Sequence, residues 1–472
     1  MKLNKLAVAV TSAVLLMAGN IALADSTSDI VNVLVDKGIL SPEEGKLISK
    51  NSVEEKKKAQ ASSGKIKISD AIDNATVYGD VRVRYESRAG TGVATVANTE
   101  ADETRERGRY KLVFGVKTTG GDFYSDIAFA MGAAGRSDNA TFAGASSSGQ
   151  SIAAANGNAT KERLNVKRAM LGWNVTPWLA VEAGRIDNPL YTTSMVWDAD
   201  LQFEGLAEKL KYSFGDLDVF ANLAQSQYLG DRRVFDGGTG TTTITNELLA
   251  TQLGAKYAFS PKASGKAAIT YYGYTHGGAG LGNWTPAGGG ALATASASTA
   301  NTNFLDIWEI PAEVNFMATD SIGIRAYGDY AWNTSADDRA RAGGVAAGSS
   351  GSDDKAWLFG VAIASAKDLK SFEANKMLKG DWSARLWYQE TGIWALDQNA
   401  VDSDIFDSRI NMKGTAFKAQ YNIQDNVMAN LTYAYGERKN NAYATMYSAG
   451  ADLSGLNVRT MDLWQLDLTY KF

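Results

Sequence analysis

The stretch Met461–Phe472, MDLWQLDLTYKF, decides the fold of this chain. Trp464, Leu466, Leu468, Tyr470 and Phe472 fall on one face of a period-two pattern; Leu463, Gln465, Asp467, Thr469 and Lys471 fall on the other. Side chains of a β-strand point alternately to its two faces, so this is a strand with one apolar and one mostly polar side. It stops on an aromatic residue. The closing strand of a bacterial outer-membrane barrel ends in this way, and Tyr470 and Phe472 would there be the signal read by the assembly machinery. An ordinary amphipathic edge strand shows the same alternation.

The other end of the sequence bears on that choice. Lys2 and Lys5 precede an apolar run from Leu6 to Leu16, and Ala22-Leu23-Ala24 offers small residues for cleavage. This is a secretory signal peptide over residues 1–24, too short and too rich in small residues for a spanning helix. Loss of the two lysines makes an already acidic chain (net charge −5) more acidic, which argues against a nucleic-acid partner. There is no cysteine, so no disulfide holds this exported protein together, and the single histidine, His276, excludes multi-histidine metal sites. No cofactor is expected. After the signal no apolar run reaches the ~18 residues of a spanning helix. Yet 45% of residues are hydrophobic and 10% aromatic. Apolar residues dispersed at period two in an exported chain fit a transmembrane β-barrel.

Residues 25–62 read differently from the rest. Asp29–Lys37 is a short amphipathic helix stopped by Gly38, and Ser41-Pro42-Glu43-Glu44 starts a second with an N-cap, a first-turn proline and two acids. They form a periplasmic helical segment, followed by a linker over 63–74. From residue 75 to 472 the chain becomes alternating segments of roughly ten residues, the length of a tilted membrane-crossing strand. These lie near 77–86, 105–117, 123–132, 163–174, 179–186, 205–214, 216–227, 248–258, 265–276, 303–316, 320–332, 356–364, 380–389, 413–422, 426–436 and 458–472. The pattern predicts a closed antiparallel up-and-down barrel of about sixteen strands. Connections alternate between short turns and long loops (87–104, 133–162, 187–204, 228–247, 277–302, 333–355, 390–412, 437–457). Short turns face the periplasm in such barrels, which puts both termini there. The turn over 365–379 is longer than this rule expects.

Two stretches carry candidate functional residues. Arg105, Arg107, Arg109 and Lys111 share one face of the second segment, and Arg82 and Arg84 share one face of the first. A basic side chain facing lipid near the midplane costs about 2–4 kcal/mol, so this row points into the lumen. It either lines the pore or pairs with acids to hold the wall. The loop from Asp187 to Glu204 is unusually aromatic and acidic. Trp197, Leu201 and Phe203 favour burial, so the loop either folds into the lumen or packs on the rim. Folded inward, Asp187, Asp198, Asp200 and Glu204 would oppose the basic row and form a constriction.

At these residues the chain resembles the bacterial family of putative porins, and is distantly similar to the phosphate-selective porins. The resemblance is carried by Leu34–Glu44, by Arg105, Arg107 and Arg109 leading to Gly115, by Gly184-Arg185, Asn188-Pro189 and Val196–Asp200 with Phe203–Leu206, and by Leu466–Phe472. It implies an outer-membrane porin of a Gram-negative envelope that passes small hydrophilic solutes or ions by passive diffusion. The implied partners are outer-membrane lipid, the barrel-assembly machinery during biogenesis, and two further copies in a homotrimer. The arginine row adds a mild anion preference. Two other functions stay open: a structural or adhesive barrel that tethers the envelope through its N-terminal helices, and a barrel enzyme, for which His276 is the one histidine base.

Overall fold

The computed structural model describes residues 71–95, 97–132, 137–142, 163–229, 246–275, 305–342, 351–443, 452–453 and 455–472. The chain falls into two units, Met1–Thr76 and Val77–Phe472. The signal peptide, the helical segment 25–62, most of the linker and His276 lie outside the described residues.

The strands are β1 (Asn74–Ala94), β2 (Glu100–Gly120), β3 (Phe123–Met131), β4 (Ala140–Thr141), β5 (Leu164–Thr176), β6 (Leu179–Ile186), β7 (Phe203–Phe214), β8 (Leu217–Leu229) and β9 (Asn246–Ser260). They continue with β10 (Ala263–Tyr274), β11 (Asp306–Met317), β12 (Ile322–Asn333), β13 (Lys355–Ser365), β14 (Trp382–Thr391), β15 (Met412–Gln424), β16 (Val427–Arg438) and β17 (Leu456–Lys471). Two short helices, α1 (Ala336–Ala342) and α2 (Leu369–Glu373), sit in connections. β4 is a two-residue bridge onto Arg109 and Tyr110 of β2. The other strands form a closed wall of 16, each antiparallel to the next. β17 closes on β1 in a register that sets Leu468 opposite Val83 and Asp467 opposite Arg84. At the lower end of this seam Gly79 and Phe472 exchange both backbone hydrogen bonds, each 3.0 Å. Closure leaves no unpaired edge, which is what lets β-structure stand in lipid.

The alternation read from the sequence sets the two faces. Val81, Val83, Tyr85, Leu466, Leu468 and Tyr470 point outward and are exposed, whereas Arg84, Glu86, Gln465, Asp467 and Thr469 point inward and are buried. All sixteen expected segments are wall strands, with ends displaced by a few residues. One expectation fails. Residues 87–104 are mostly not a loop, because β1 runs on to Ala94 and β2 starts at Glu100, and β17 stays paired with β1 up to Ala94. Ser87, Ala89 and Thr91 against Gly90 and Gly92 give too little polarity contrast for the period to be read.

Two long connections turn into the lumen. Residues 187–202 bury Leu190, Met195, Val196 and Trp197, with Trp197 stacked on Phe203 at 4.5 Å between ring centres. Residues 392–411 bury Ile393, Trp394, Leu396, Ile405, Phe406 and Ile410 in the same apolar cluster. Burying each such side chain is worth about 1.5–3 kcal/mol over leaving it in water, and that drives both segments inward. The 365–379 turn also folds inward, from the opposite end. Phe372 of α2 occupies the space left by Gly323, and Glu373 bonds Ser264 and Lys256.

Candidate constriction site

The segment 187–202 is tied across the lumen. Tyr191 N–H donates to Gln252 Oε1 (2.9 Å) and its carbonyl accepts from Gln252 Nε2 (2.8 Å). Thr192 donates to Glu309 Oε1 (2.5 Å), which also holds Tyr272 on its other oxygen (2.6 Å), and Thr193 donates to Asp329. The anchor points therefore belong to β9, β10, β11 and β12, across the barrel from β6. The second inward segment locks onto the first: Asp198 N–H donates to the Ala400 carbonyl (2.6 Å), and Asp198 accepts from Ser403 N–H (3.0 Å) and Ser403 Oγ (2.9 Å). Asn333 and Arg339 hold the carbonyls of Trp394 and Leu396 at 2.8 and 2.7 Å.

Between the two segments and the wall lies a cavity of about 390 Å³. Its cationic lining is Arg82 on β1, Arg325 on β12, Arg385 on β14 and Lys418 on β15; its acids are Asp198, Asp200, Glu313, Asp402 and Asp404. Arg325 is held by Glu313 at 3.7 Å and Asn315 at 2.7 Å. Arg385 stands over Trp387 at 5.3 Å and Lys418 reaches the same ring at 6.0 Å; among the described residues neither has a carboxylate within salt-bridge distance. The acids are less available. Burial works against Asp404, but Arg84 overrides it at 3.1 Å and holds the carboxyl well below its usual range. Burial pushes Asp402 up to about 6, aided by Asp404 and Asp198 and opposed by Lys418.

The structure divides the sequence candidates. The basic row does point inward, but acids close over most of it. Arg84 pairs with Asp467 (2.7 Å), Arg107 with Glu86 and with Asp452 (2.6 Å), Arg105 with Asp452 (2.8 Å), Arg109 with Glu86 (3.5 Å) and Lys111 with Asp80 (3.4 Å). Arg84 and Arg109 are only 4% and 7% exposed, so they fill wall space and do not line water. Of the row only Arg82 reaches the cavity. Of the loop acids, Asp198 and Asp200 are there; Asp187 instead pairs with Arg168, which also holds Asp126. Glu204 does not face the lumen: Phe203 points in, so its neighbour points out and pairs with Arg185. Tyr470 and Phe472 lie on the outward face near the seam.

Sequence reasoning missed Asp402, Asp404, Arg325, Arg385 and Lys418. The criterion that singled out 187–204, apolar side chains with acids inside a long loop, also describes Ile393–Ile410 and was available there. Nothing marked the three wall cations, which sit singly on different strands.

A second recess, about 640 Å³, opens toward the short turns and is lined by Lys209, Lys211, Lys256 and Lys266 with Asp218, Glu313 and Glu373. Lys266 sits 3.8 Å from the centre of the Tyr191 ring.

Residues 86–285 match the family described as putative porin. No curated protein sequence matches the chain. Among solved structures, Salmonella typhi OmpF in complex with daunomycin shares 12% identity, covering 86% of this chain and 99% of that one, with a TM-score of 0.43. A porin refined at 1.8 Å resolution shares 10% identity over 84% of this chain and 100% of that one, with a TM-score of 0.37.

Proposed function

We propose that this chain is a bacterial porin, as its match to the putative porin family over residues 86–285 supports, and that its lumen is a water-filled passage through which small hydrophilic solutes and ions diffuse across the outer membrane, with a mild preference for anions. The observation that carries the preference is the imbalance of available charge around the cavity. Among the described residues Arg385 and Lys418 line it with no carboxylate in salt-bridge contact, although Lys418 feels Asp402 and Asp404 through space, whereas Asp404 is paired with Arg84 and Asp198 is engaged by Ser403. A charge held in a narrow water-filled gap selects by sign because the wall around it has a low dielectric constant. In this reading the short turns and both termini face the periplasm, and the protein works as a trimer. Residues 1–24 serve as a secretory signal, residues 25–62 form a periplasmic helical segment, and Tyr470 with Phe472 is the mark read by the assembly machinery. An adhesive or tethering barrel would need no open path, and the cavity between the inward segments favours the channel.

Purified protein inserted into a planar bilayer under a salt gradient tests this. Stepwise conductance with a reversal potential of anion-selective sign is expected. A closed barrel would sink the channel, and a cation-selective sign would sink the preference while leaving the channel standing.

A further inference from the structure

The recess at the short-turn end of the lumen holds an arrangement that sheets avoid. Lys256 of β9 and Lys266 of β10 stand directly opposite each other, and both line the recess. Like charges in that position destabilise a sheet, and an anion between them removes the repulsion. The same juxtaposition occurs at Arg385 and Lys418 on β14 and β15, where Asp402 and Asp404 act on Lys418 only through space. The lysine pair differs, because the chain seats a carboxylate on it. Glu373 of α2 pairs with Lys256 and accepts from Ser264 Oγ, two residues from Lys266 on the same face.

Glu373 serves Lys256 and leaves Lys266. Among the described residues Lys266 has no carboxylate within salt-bridge distance. Glu313 stands opposite it across the β10–β11 pair, but Glu313 is drawn to Arg325 at 3.7 Å and accepts from Asn315 at 2.9 Å, so it acts on Lys266 only through space. Asp218, opposite Lys256 on β8, is engaged by Ser213 and by Lys211 at 3.5 Å. Lys266 instead lies 3.8 Å from the centre of the Tyr191 ring and 5.1 Å from that of Phe220. Both rings line the recess, and Pro177, Pro189 and Leu190 extend its apolar flank. A half-neutralised pair of cations therefore adjoins an apolar surface in a space of about 640 Å³. Small-molecule sites are built this way, with a few placed charges fixing the ligand and apolar contact holding its body.

We propose that this recess binds small organic acids with an apolar body, aromatic monocarboxylates foremost. The carboxylate bridges Lys256 and Lys266 and accepts from Ser264 in place of Glu373, while the ring lies against Tyr191, Phe220 and Pro189. Glu373 is thus an internal competitor, and its neighbour Phe372 repeats the pattern, with its ring 5.4 Å from the Arg325 guanidinium. Inorganic phosphate would satisfy the lysines and leave the apolar flank in water. A second carboxylate on the ligand would meet Asp218 and Glu313. The proposal deepens the channel reading, on which it rests for the solute's entry into the lumen.

Calorimetry on the full chain in detergent and planar-bilayer recordings test it separately. Benzoate should bind more tightly than acetate or inorganic phosphate, and should lower the chloride current with a saturating concentration dependence. Glu373→Gln removes the competitor, so the half-saturating benzoate concentration should fall about fivefold, the weight of a partly exposed ion pair. Misfolding cannot produce that gain. Lys266→Gln removes a charged hydrogen-bond donor and should raise the same concentration about tenfold. Phosphate or acetate binding as tightly as benzoate overturns the ligand class. No benzoate binding in calorimetry, or a Glu373→Gln variant that binds it no better, overturns the site. Binding in detergent by a protein that forms no channel defeats the channel reading alone, and a conducting protein that binds no benzoate defeats the site alone.

Discussion

Two arcs of the lumen wall carry cations and use them differently. On β1 and β2, Arg84, Arg88, Arg105, Arg107 and Arg109 are interleaved with Glu86, Asp404, Asp452 and Asp467. Asp452 shows the balance: burial would raise its carboxyl, but Arg88, Arg107 and Arg105 hold it below its usual range. On β14 and β15, Arg385 and Lys418 make no salt-bridge contact among the described residues and line the cavity, with Asp402 and Asp404 acting on Lys418 only through space. Density of charge along a strand therefore does not mark the part of the wall that a solute meets. What decides is whether an acid sits on the same face of the next strand or on an inward loop, and a buried pair binds structure more than it attracts ligand.

The largest test of this contrast is Arg84→Ala. Removing it leaves buried Asp467 with only Arg82 at 3.7 Å and takes the ion pair from partly exposed Asp404; losing one partner of a buried pair costs about 3–5 kcal/mol, and the remaining contact and exposure place this loss toward the lower end. Urea unfolding in detergent, or loss of heat-resistant migration on a gel, should show it; a stable variant with lost anion preference would exchange the roles of the two arcs. Next comes Arg385→Glu combined with Lys418→Glu. A charge about 4 Å from a solute in water is worth about 1 kcal/mol, so reversing two should move the anion-to-cation permeability ratio by on the order of tenfold toward cations. The reversal potential reads this directly, and stability should change less than in Arg84→Ala, since neither cation makes a salt-bridge contact with an acid among the described residues.

A smaller effect is expected from Phe372→Ala with Glu373→Ala, which loosens α2 in the short-turn mouth. Its ion pair with Lys256 is partly exposed and contributes under about 1 kcal/mol. Single-channel conductance should rise modestly with selectivity unchanged, and equal conductance would show that α2 does not narrow the path. The smallest concerns Asp402. With its carboxyl raised to about 6, it is mostly charged at pH 7 and mostly neutral at pH 5. Lowering the pH through that range removes a negative charge from the cavity, so anion preference should increase slightly. Asp402→Asn should abolish that pH response.

The wall was legible in the sequence because membrane strands must alternate. Even 163–174, 179–186 and 356–364, with weak contrast, proved to be β5, β6 and β13. The upper ends of β1 and β2 were not: in β1 Ser, Ala, Gly and Thr satisfy either environment, and in β2 Glu100–Thr104 is polar on both faces. The inward turn of 187–202 could be argued from Trp197 and Phe203, but the side on which Glu204 emerges depends on strand register. The partners of the arginine row were out of reach. Asp404, Asp452 and Asp467 lie hundreds of residues from Arg84 and Arg107, and only closure of the ring brings them together.

That closure has a consequence in time. Because β1 bonds to β17, the earliest strand of the wall waits for the latest, and the seam is the most distant pairing in the chain. Loop-closure entropy must be overcome before that pairing returns anything. Until then every shorter intermediate exposes two open edges, at β1 and at whichever strand has formed last, each ready to join a neighbouring chain. Loss of β17 would not trim one end of the molecule. It would unpair β1 and β16 together and remove Asp467 from Arg84, so damage at residue 467 would be felt at residue 84.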